Sequence, residues 1–78
     1  MESSELLKRI EVNPGVMGGK PVIRGTRIPV ELVLEMLAED VPLAEILKEY
    51  PDLSKEDVRA ALAYAAASLR AEEIRTTA

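Results

Sequence analysis

Cysteine, histidine, phenylalanine and tryptophan are all missing from this 78-residue sequence. Without cysteine, the chain has neither a disulfide framework nor a thiolate metal site. Without histidine, it lacks the commonest general base, the commonest zinc ligand and every Ser/His or Cys/His catalytic pair. Tyr50 and Tyr64 are the sole aromatic residues. We therefore expect a core of Leu, Ile, Val, Met and Ala, with the two tyrosines packed against it.

Long apolar runs are missing as well. No run approaches the length of a membrane-spanning helix, and the opening MESSELLKRIEV has no apolar core of a signal peptide. We therefore expect a cytoplasmic protein. Apolar residues make up 47% of the sequence, which is enough for a folded chain. A chain of this length predicts one small domain over residues 1–78, of a size that oligomerisation often stabilises.

The net charge of −4 argues against a protein that simply coats nucleic acid. The charge is unevenly distributed. Residues 1–30 hold five basic and three acidic side chains, for a net +2, whereas residues 31–78 hold five basic and eleven acidic ones, for a net −6. An anionic partner is therefore expected to meet the first thirty residues.

Hydrophobic periodicity predicts an N-terminal β arm followed by three helices. Residues 9–12 alternate polar with apolar, and the Asn-Pro-Gly that follows is typical of a turn. From Pro29 onwards the period is helical. The predicted bounds are 9–28 for the arm and about 30–38, 42–50 and 54–72 for the helices. This order of a short helix, a turn and a capped helix fits a mainly α, helix-turn-helix bundle, and fits a plain three-helix bundle equally well.

The third predicted helix has the clearest start signal. Ser54 stands at the N-cap with Asp57 three residues later, a variant of the capping box, and Leu53 and Val58 are spaced as a hydrophobic staple. Six alanines between residues 60 and 67 would let another backbone approach closely, from the same chain or a twin. The apolar stripe of this helix comprises Val58, Ala61, Leu62, Ala65 and Leu69. We expect the tail AEEIRTTA to fray.

The stretch MGGKPVIRGTRI, residues 17–28, invites comparison with a phosphate-binding loop, and fails it. Such a loop needs G-x-x-x-x-G-K-[ST], but Gly15 and Gly19 are one residue too close and Pro21 stands where Ser or Thr is required. We interpret Gly18, Gly19 and Gly25 instead as residues of tight turns with positive φ.

The cations of the same stretch need a separate explanation. Lys20, Arg24 and Arg27 alternate with apolar residues, so we expect them to line one edge of the arm. They would contact phosphates or carboxylates of a partner, or pair with the acidic helices of the same or a twin chain. Lys55 and Arg59 lie on the first turns of the capped helix, where DNA contacts arise in helix-turn-helix proteins, although solvated surface explains them too. The candidate nucleic-acid or partner contacts are Lys20, Arg24, Thr26, Arg27, Lys55 and Arg59, and the structural turn or cap residues are Gly18, Gly19, Gly25 and Ser54.

Catalytic and metal-binding sites are not predicted. No nucleophile has a visible activating base, and no carboxylate stands alone in an apolar setting. Glu31, Glu35 and Glu39 repeat every four residues, a spacing that could hold a metal but is ordinarily a solvated helix face. We expect a protein that is not an enzyme and that has no cofactor and no small-molecule substrate.

A distinctive set of residues lies between Ile10 and Ala65: Asn13-Pro14, GGKPVIRGTRIPV (18–30), Ile46-Leu47, Tyr50-Pro51-Asp52-Leu53, and the Val58, Ala60–Leu62 and Tyr64-Ala65 positions. In these residues the segment resembles the domain-of-unknown-function family 433. The resemblance implies a homeodomain-like helix-turn-helix fold preceded by short strands. It also implies kinship with VapB-type antitoxins, which dimerise, bind a PIN-like nuclease and often bind DNA. Where the family commonly has glycine after the first helix, this chain has Glu39-Asp40-Val41, so Asp40 is expected to take the positive φ.

Two hypotheses follow. The first is an antitoxin-like regulatory protein that dimerises, binds a PIN-like nuclease and binds DNA, alone or with that partner. The second is a protein-interaction module with no DNA binding, whose arginines clamp acidic side chains of the nuclease.

Overall fold

A computed structural model describes residues 3–15 and 17–77. Within them the fold is mainly helical, with four α-helices and a short two-stranded antiparallel sheet. The elements in chain order are α1 (Ser3–Leu7), β1 (Ile10–Glu11), a 3₁₀ turn (Met17–Gly19), β2 (Val22–Ile23), α2 (Val30–Ala38), α3 (Leu43–Glu49) and α4 (Lys55–Thr77).

The short N-terminal helix α1 was not predicted. Its five residues are too few to show a helical period, and what anchors it is tertiary: Leu6 is buried and α1 packs alongside α4. The sheet that follows is shorter than the predicted arm. β1 and β2 pair with Ile10 opposite Ile23 and Glu11 opposite Val22. The two strands contribute buried Ile10, Val22 and Ile23 to the interior.

A tight turn follows β2 and uses Gly25 as predicted. Gly25 has φ 82°, and the amide of Thr26 donates to the carbonyl oxygen of Ile23 at 3.0 Å. The Thr26 hydroxyl donates to the same carbonyl at 2.7 Å and accepts from the Ile28 amide at 3.0 Å. Thr26 is a candidate contact residue, but its hydroxyl is engaged in hydrogen bonds within the turn. Gly18 and Gly19, in the 3₁₀ turn, also have the predicted positive φ, at 66° and 87°.

Asp40 ends α2 in the manner predicted for a chain that lacks glycine there. Its φ is 63°, its amide donates to the Leu37 carbonyl at 3.0 Å, and the Val41 amide donates to the Met36 carbonyl at 3.0 Å. These two bonds form a Schellman motif, which satisfies the last carbonyls of the helix. Aspartate is one of the few residues other than glycine that tolerates this backbone conformation.

The capping box at the start of α4 is confirmed. The Asp57 amide donates to Ser54 Oγ at 3.1 Å, and the Ser54 amide donates to Asp57 Oδ2 at 3.0 Å. Leu53 and Val58 are both buried beside it. At its other end α4 continues through Thr77 rather than ending near residue 72, because Ala, Arg and Glu in this segment are good helix formers.

The core lies where α1, the sheet, α2 and α3 meet the first half of α4. Val30, Val33 and Met36 of α2 are buried. Ile46 of α3 is fully buried, and Tyr50 and Tyr64 are half-buried against the core, as expected. The fully or nearly buried apolar residues are Leu6, Ile10, Val22, Ile23, Val30, Val33, Met36, Ile46, Leu53, Val58, Ala60 and Ala61.

The predicted apolar stripe of α4 divides in two. Val58 and Ala61 are buried, but Leu62 is 50% exposed and Leu69 is 61% exposed. The core thus covers only part of the stripe: Leu62, next to buried Ala61, is exposed in the first half of this 23-residue helix, and Leu69 is exposed in the second half.

Candidate interaction surfaces

The structure separates Lys20 from Arg24, two of the three cations that were expected to share one edge. Lys20 and Arg24 line two different depressions of the surface. Lys20 Nζ lies 3.9 Å from Glu31 Oε1, and both side chains are more than half exposed. This is the expected pairing of a cation with an acidic helix of the same chain, but a pair so long and so exposed contributes little to stability.

Arg24 is held by the main chain of the first residues. Its Nε donates to the Lys8 carbonyl oxygen at 2.8 Å, and its Nη2 lies 3.5 Å from the Ile10 carbonyl oxygen. The Arg24 amide also donates to the Arg9 carbonyl oxygen at 2.8 Å. A guanidinium has five N–H donors, so these contacts fix its orientation and still leave donors for another molecule.

Arg24 forms one wall of a basic recess, which we define by Lys8, Arg9 and Arg24 with the acids Glu5 and Asp57. The recess has a volume of about 380 Å³ and lies between α1, β2 and the start of α4. Lys8 has no acidic group within 4.0 Å among the described residues. The recess therefore presents one oriented guanidinium, one unpaired ammonium and the carboxylate of Glu5 to solvent.

Arg9 connects the recess to α4. Its Nη1 donates to Asp57 Oδ1 at 3.2 Å, while the other oxygen of that carboxylate caps the helix. Asp57 is 8% exposed, the one buried charged residue in the described part of the chain. The partners are 48 positions apart, so no local pattern in the sequence pointed to this ion pair, and Lys8 and Arg9 were not among the predicted contacts.

Three of the predicted contact residues stay available to solvent. Arg27, Lys55 and Arg59 are exposed and make no side-chain hydrogen bond or ion pair with any residue that the structure describes. Lys55 and Arg59 lie on the first two turns of α4, next to Glu56 and Asp57.

The second depression is an open apolar groove between α2 and α4, with a volume of about 590 Å³. Its floor and walls are almost entirely hydrocarbon, and Lys20, Glu31 and Glu35 stand at its rim. The apolar members are Pro21, Pro29, Val30, Leu34, Ala38, Ala65 and Leu69, joined by the ring of Tyr64. A groove of this kind accommodates the apolar face of another helix.

Within residues 3–15 and 17–77, no group of three or more acidic side chains is arranged to hold a metal ion. The same residues include no helix that is both long enough and apolar enough to cross a membrane. Each buried side-chain polar atom among them has a hydrogen-bond partner.

The comparison with known protein families matches residues 10–65 to a model described as "Protein of unknown function (DUF433)". The chain belongs to the DUF433 family. The matched segment begins at β1 and ends in the middle of α4, so it contains the sheet, the turn at Gly25 and the capping box.

Two relatives of this DUF433 chain extend the comparison. A DUF433 member protein from Anabaena variabilis, known from a crystal structure, is 33% identical and superposes with a TM-score of 0.75 over 96% of this chain and 74% of its own. The uncharacterized protein y4eO of Sinorhizobium fredii is 39% identical over 56 residues, which are 72% of this chain. The chain spans about a quarter (25%) of the length of that curated relative.

Proposed function

We propose that this DUF433 chain is a cytoplasmic, non-catalytic regulatory module of the antitoxin type, which dimerises and binds an acid-rich, PIN-like nuclease through the basic recess. The observation that carries the proposal is the fixed position of Arg24. Its contacts to the carbonyls of Lys8 and Ile10 hold the guanidinium in place before a partner arrives. A preorganised arginine loses little side-chain entropy when it binds a carboxylate.

The chemistry of the recess suits a carboxylate partner. Arg24 and the unpaired Lys8 lie in an N-terminal segment of net positive charge, whereas the rest of the chain is strongly acidic. A nuclease whose metal site is rich in Asp and Glu would place carboxylates opposite these donors, and each charge-assisted hydrogen bond would block a group that the nuclease needs. Arg27 is exposed and unpaired in the described chain, which leaves its side chain free for a further contact.

Co-expression with the product of the neighbouring gene tests this proposal. The two chains should purify as a stable complex that represses nuclease activity. Lys8→Ala with Arg24→Met should weaken the complex at least about tenfold, since each lost charge-assisted bond costs more than 1 kcal/mol. Lys48→Ala is the matched control, because Lys48 is an exposed lysine of α3 that does not line the recess. A complex that is insensitive to loss of Lys8, Arg24 and Arg27 together would refute the recess as its binding surface.

DNA binding is a second candidate, supported by α3 and α4. A short helix, a five-residue connection and a capped second helix resemble a homeodomain-like helix-turn-helix, and α4 would be its recognition helix. Exposed, unpaired Lys55 and Arg59 are then the major-groove contacts, although Glu56 and Asp57 between them repel phosphates.

A gel shift with the DNA upstream of the chain's own gene tests this candidate. Specific binding should fall steeply with salt because each neutralised phosphate releases counterions. Lys55→Ala should weaken it and Lys48→Ala should not. No shift, with or without the nuclease, would leave the protein-interaction module as the better hypothesis.

A further inference from the structure

The solvent-exposed side of α4 carries an apolar face with no partner in the described chain. Leu62, Ala66 and Leu69 are spaced by four and three residues, so they form one stripe along the helix. Leu62 is 50% exposed and Leu69 is 61% exposed. Leu69 also lines the groove between α2 and α4, so the stripe and the groove form one continuous apolar surface. Large exposed apolar patches on small proteins usually mark an interface.

The charges that flank this stripe have opposite signs at its two ends. Arg59 lies one turn before Leu62, and Glu72 lies one turn after Leu69. Both side chains are exposed. A second copy of the same helix, placed antiparallel, would therefore bring the basic end of one stripe to the acidic end of the other.

We propose that the occupant of this surface is a second copy of the chain, with the two α4 helices packed antiparallel about a two-fold axis between Ala65 and Ala66. In this register Leu62 faces the partner's Leu69, and Arg59 faces the partner's Glu72. The small alanines lie at the centre, where they allow the helices to approach closely. This one register therefore packs the leucines against each other, pairs opposite charges and places the alanines where the helices approach most closely.

The two alternatives fit the same residues less well. A parallel pair of helices would put Arg59 beside the partner's Arg59, and like charges at that distance repel. An unrelated partner would not need the stripe to be complementary to itself. A two-fold interface does need this, because each copy presents the same patch. From Arg59 to Glu72 the helix extends about 20 Å at 1.5 Å per residue, and the groove continues the contact onto Leu34 and Ala38 of α2.

This pairing of α4 helices describes how the dimer of the proposed function forms, and in that respect the inference rests on the proposed function. It uses α2 and the segment of α4 from Arg59 to Glu72, while nuclease binding is assigned to the recess between α1, β2 and Asp57 at the start of α4. The two proposals can therefore fail separately.

The mass of the protein in solution, measured by light scattering after size exclusion, is the first test. The unmodified chain should elute at twice the monomer mass, and Leu62→Asp should elute as a folded monomer. Val12→Asp is the matched control, because Val12 is similarly exposed, at 56%, but lies outside α4. A monomeric unmodified chain, or a Leu62→Asp variant that remains dimeric, would overturn the proposal.

Charge reversal tests the register. Arg59→Glu and Glu72→Arg should each weaken the dimer about tenfold, since the two-fold axis makes every change count twice. The double variant should recover the affinity of the unmodified chain. Arg59→Glu removes no contact within the described chain and places a favourable charge with respect to the helix dipole, so this variant should not weaken α4 itself. If the double variant dimerises no better than the single ones, the antiparallel register is wrong.

Cross-linking gives an independent answer, because the chain has no cysteine of its own. Leu62→Cys combined with Leu69→Cys should form a disulfide-linked dimer under mild oxidation, whereas Leu62→Cys alone should not. Ready cross-linking of the single variant would indicate a parallel pair and refute the register. Nuclease capture by the monomeric Leu62→Asp variant would show that the recess functions without the dimer.

Discussion

Asp57 provides the sharpest test of how the fold is held together, because one buried carboxylate serves two parts of the chain. Oδ2 accepts the Ser54 amide that opens α4, and Oδ1 accepts a hydrogen bond from Arg9, next to β1. Asp57→Ala removes both contacts. Loss of a capping interaction costs about 1 kcal/mol. The Arg9 pair adds about 0.5–1 kcal/mol, a value discounted because the arginine side chain is 37% exposed.

The expected loss is therefore about 2 kcal/mol, or roughly 8–15 °C in the melting temperature of a domain of this size. Urea unfolding followed by circular dichroism measures the free energy directly. Asp57→Asn keeps an acceptor oxygen for the cap but gives up the charge, so it should lose about half as much. Arg9→Met isolates the ion pair and should cost no more than about 1 kcal/mol.

Asp52→Ala is the matched control, since Asp52 is exposed and lies in the connection just before the cap. It should change the free energy of unfolding by less than about 0.5 kcal/mol. A double-mutant cycle between Arg9 and Asp57 should return a coupling of about 0.5–1 kcal/mol. If Asp57→Ala is no more destabilising than Asp52→Ala, the carboxylate does not join the N-terminal segment to α4 in the manner described.

Four further substitutions probe the fold, and the same urea measurement checks each of them. Gly25→Ala should lower the free energy of unfolding by about 1–2 kcal/mol because of the φ of 82° alone, since nothing lies near the added methyl group. Gly15→Ala is its control and should cost clearly less, because Gly15 has no positive φ. Asp40→Gly should stabilise by about 0.5 kcal/mol, because glycine has no steric penalty at φ 63°. Ile46→Ala should cost about 2–5 kcal/mol by opening a cavity at a fully buried position, and a smaller loss would mean that the site collapses. Lys20→Ala should change stability by less than about 0.5 kcal/mol, and a larger effect would show that its contact with Glu31 is closer than 3.9 Å in solution.

Features made by residues close together in the chain were predictable from the sequence. The Ser54–Asp57 capping box, the positive φ of Gly25 and the bounds of α2 depend on hydrogen bonds and steric clashes within a few positions. Such interactions can be predicted from the identities of neighbouring residues. The same holds for Asp40, whose backbone conformation follows from the need to end α2 without glycine.

The candidate sites were less predictable. Arg24, Arg27, Lys55 and Arg59 were recognised as cations of interest, but the sequence did not show that Arg24 is bound to the main chain near Lys8. Nor did it show that Arg9 reaches Asp57 from 48 positions away. Both contacts depend on how α1 and the sheet pack against α4, and packing orientation has no short-range signature.

The sequence by itself therefore determined the helical class, the caps and the turns of this DUF433 chain, because local backbone energetics depend on neighbouring residues. Tertiary structure alone decided which cations share a recess and which leucines of α4 leave the core. A 3.6-residue period shows that Leu62 and Leu69 lie on one side of a helix together with Val58 and Ala65. It does not show which of these side chains the core covers, since that depends on how the other elements pack against α4.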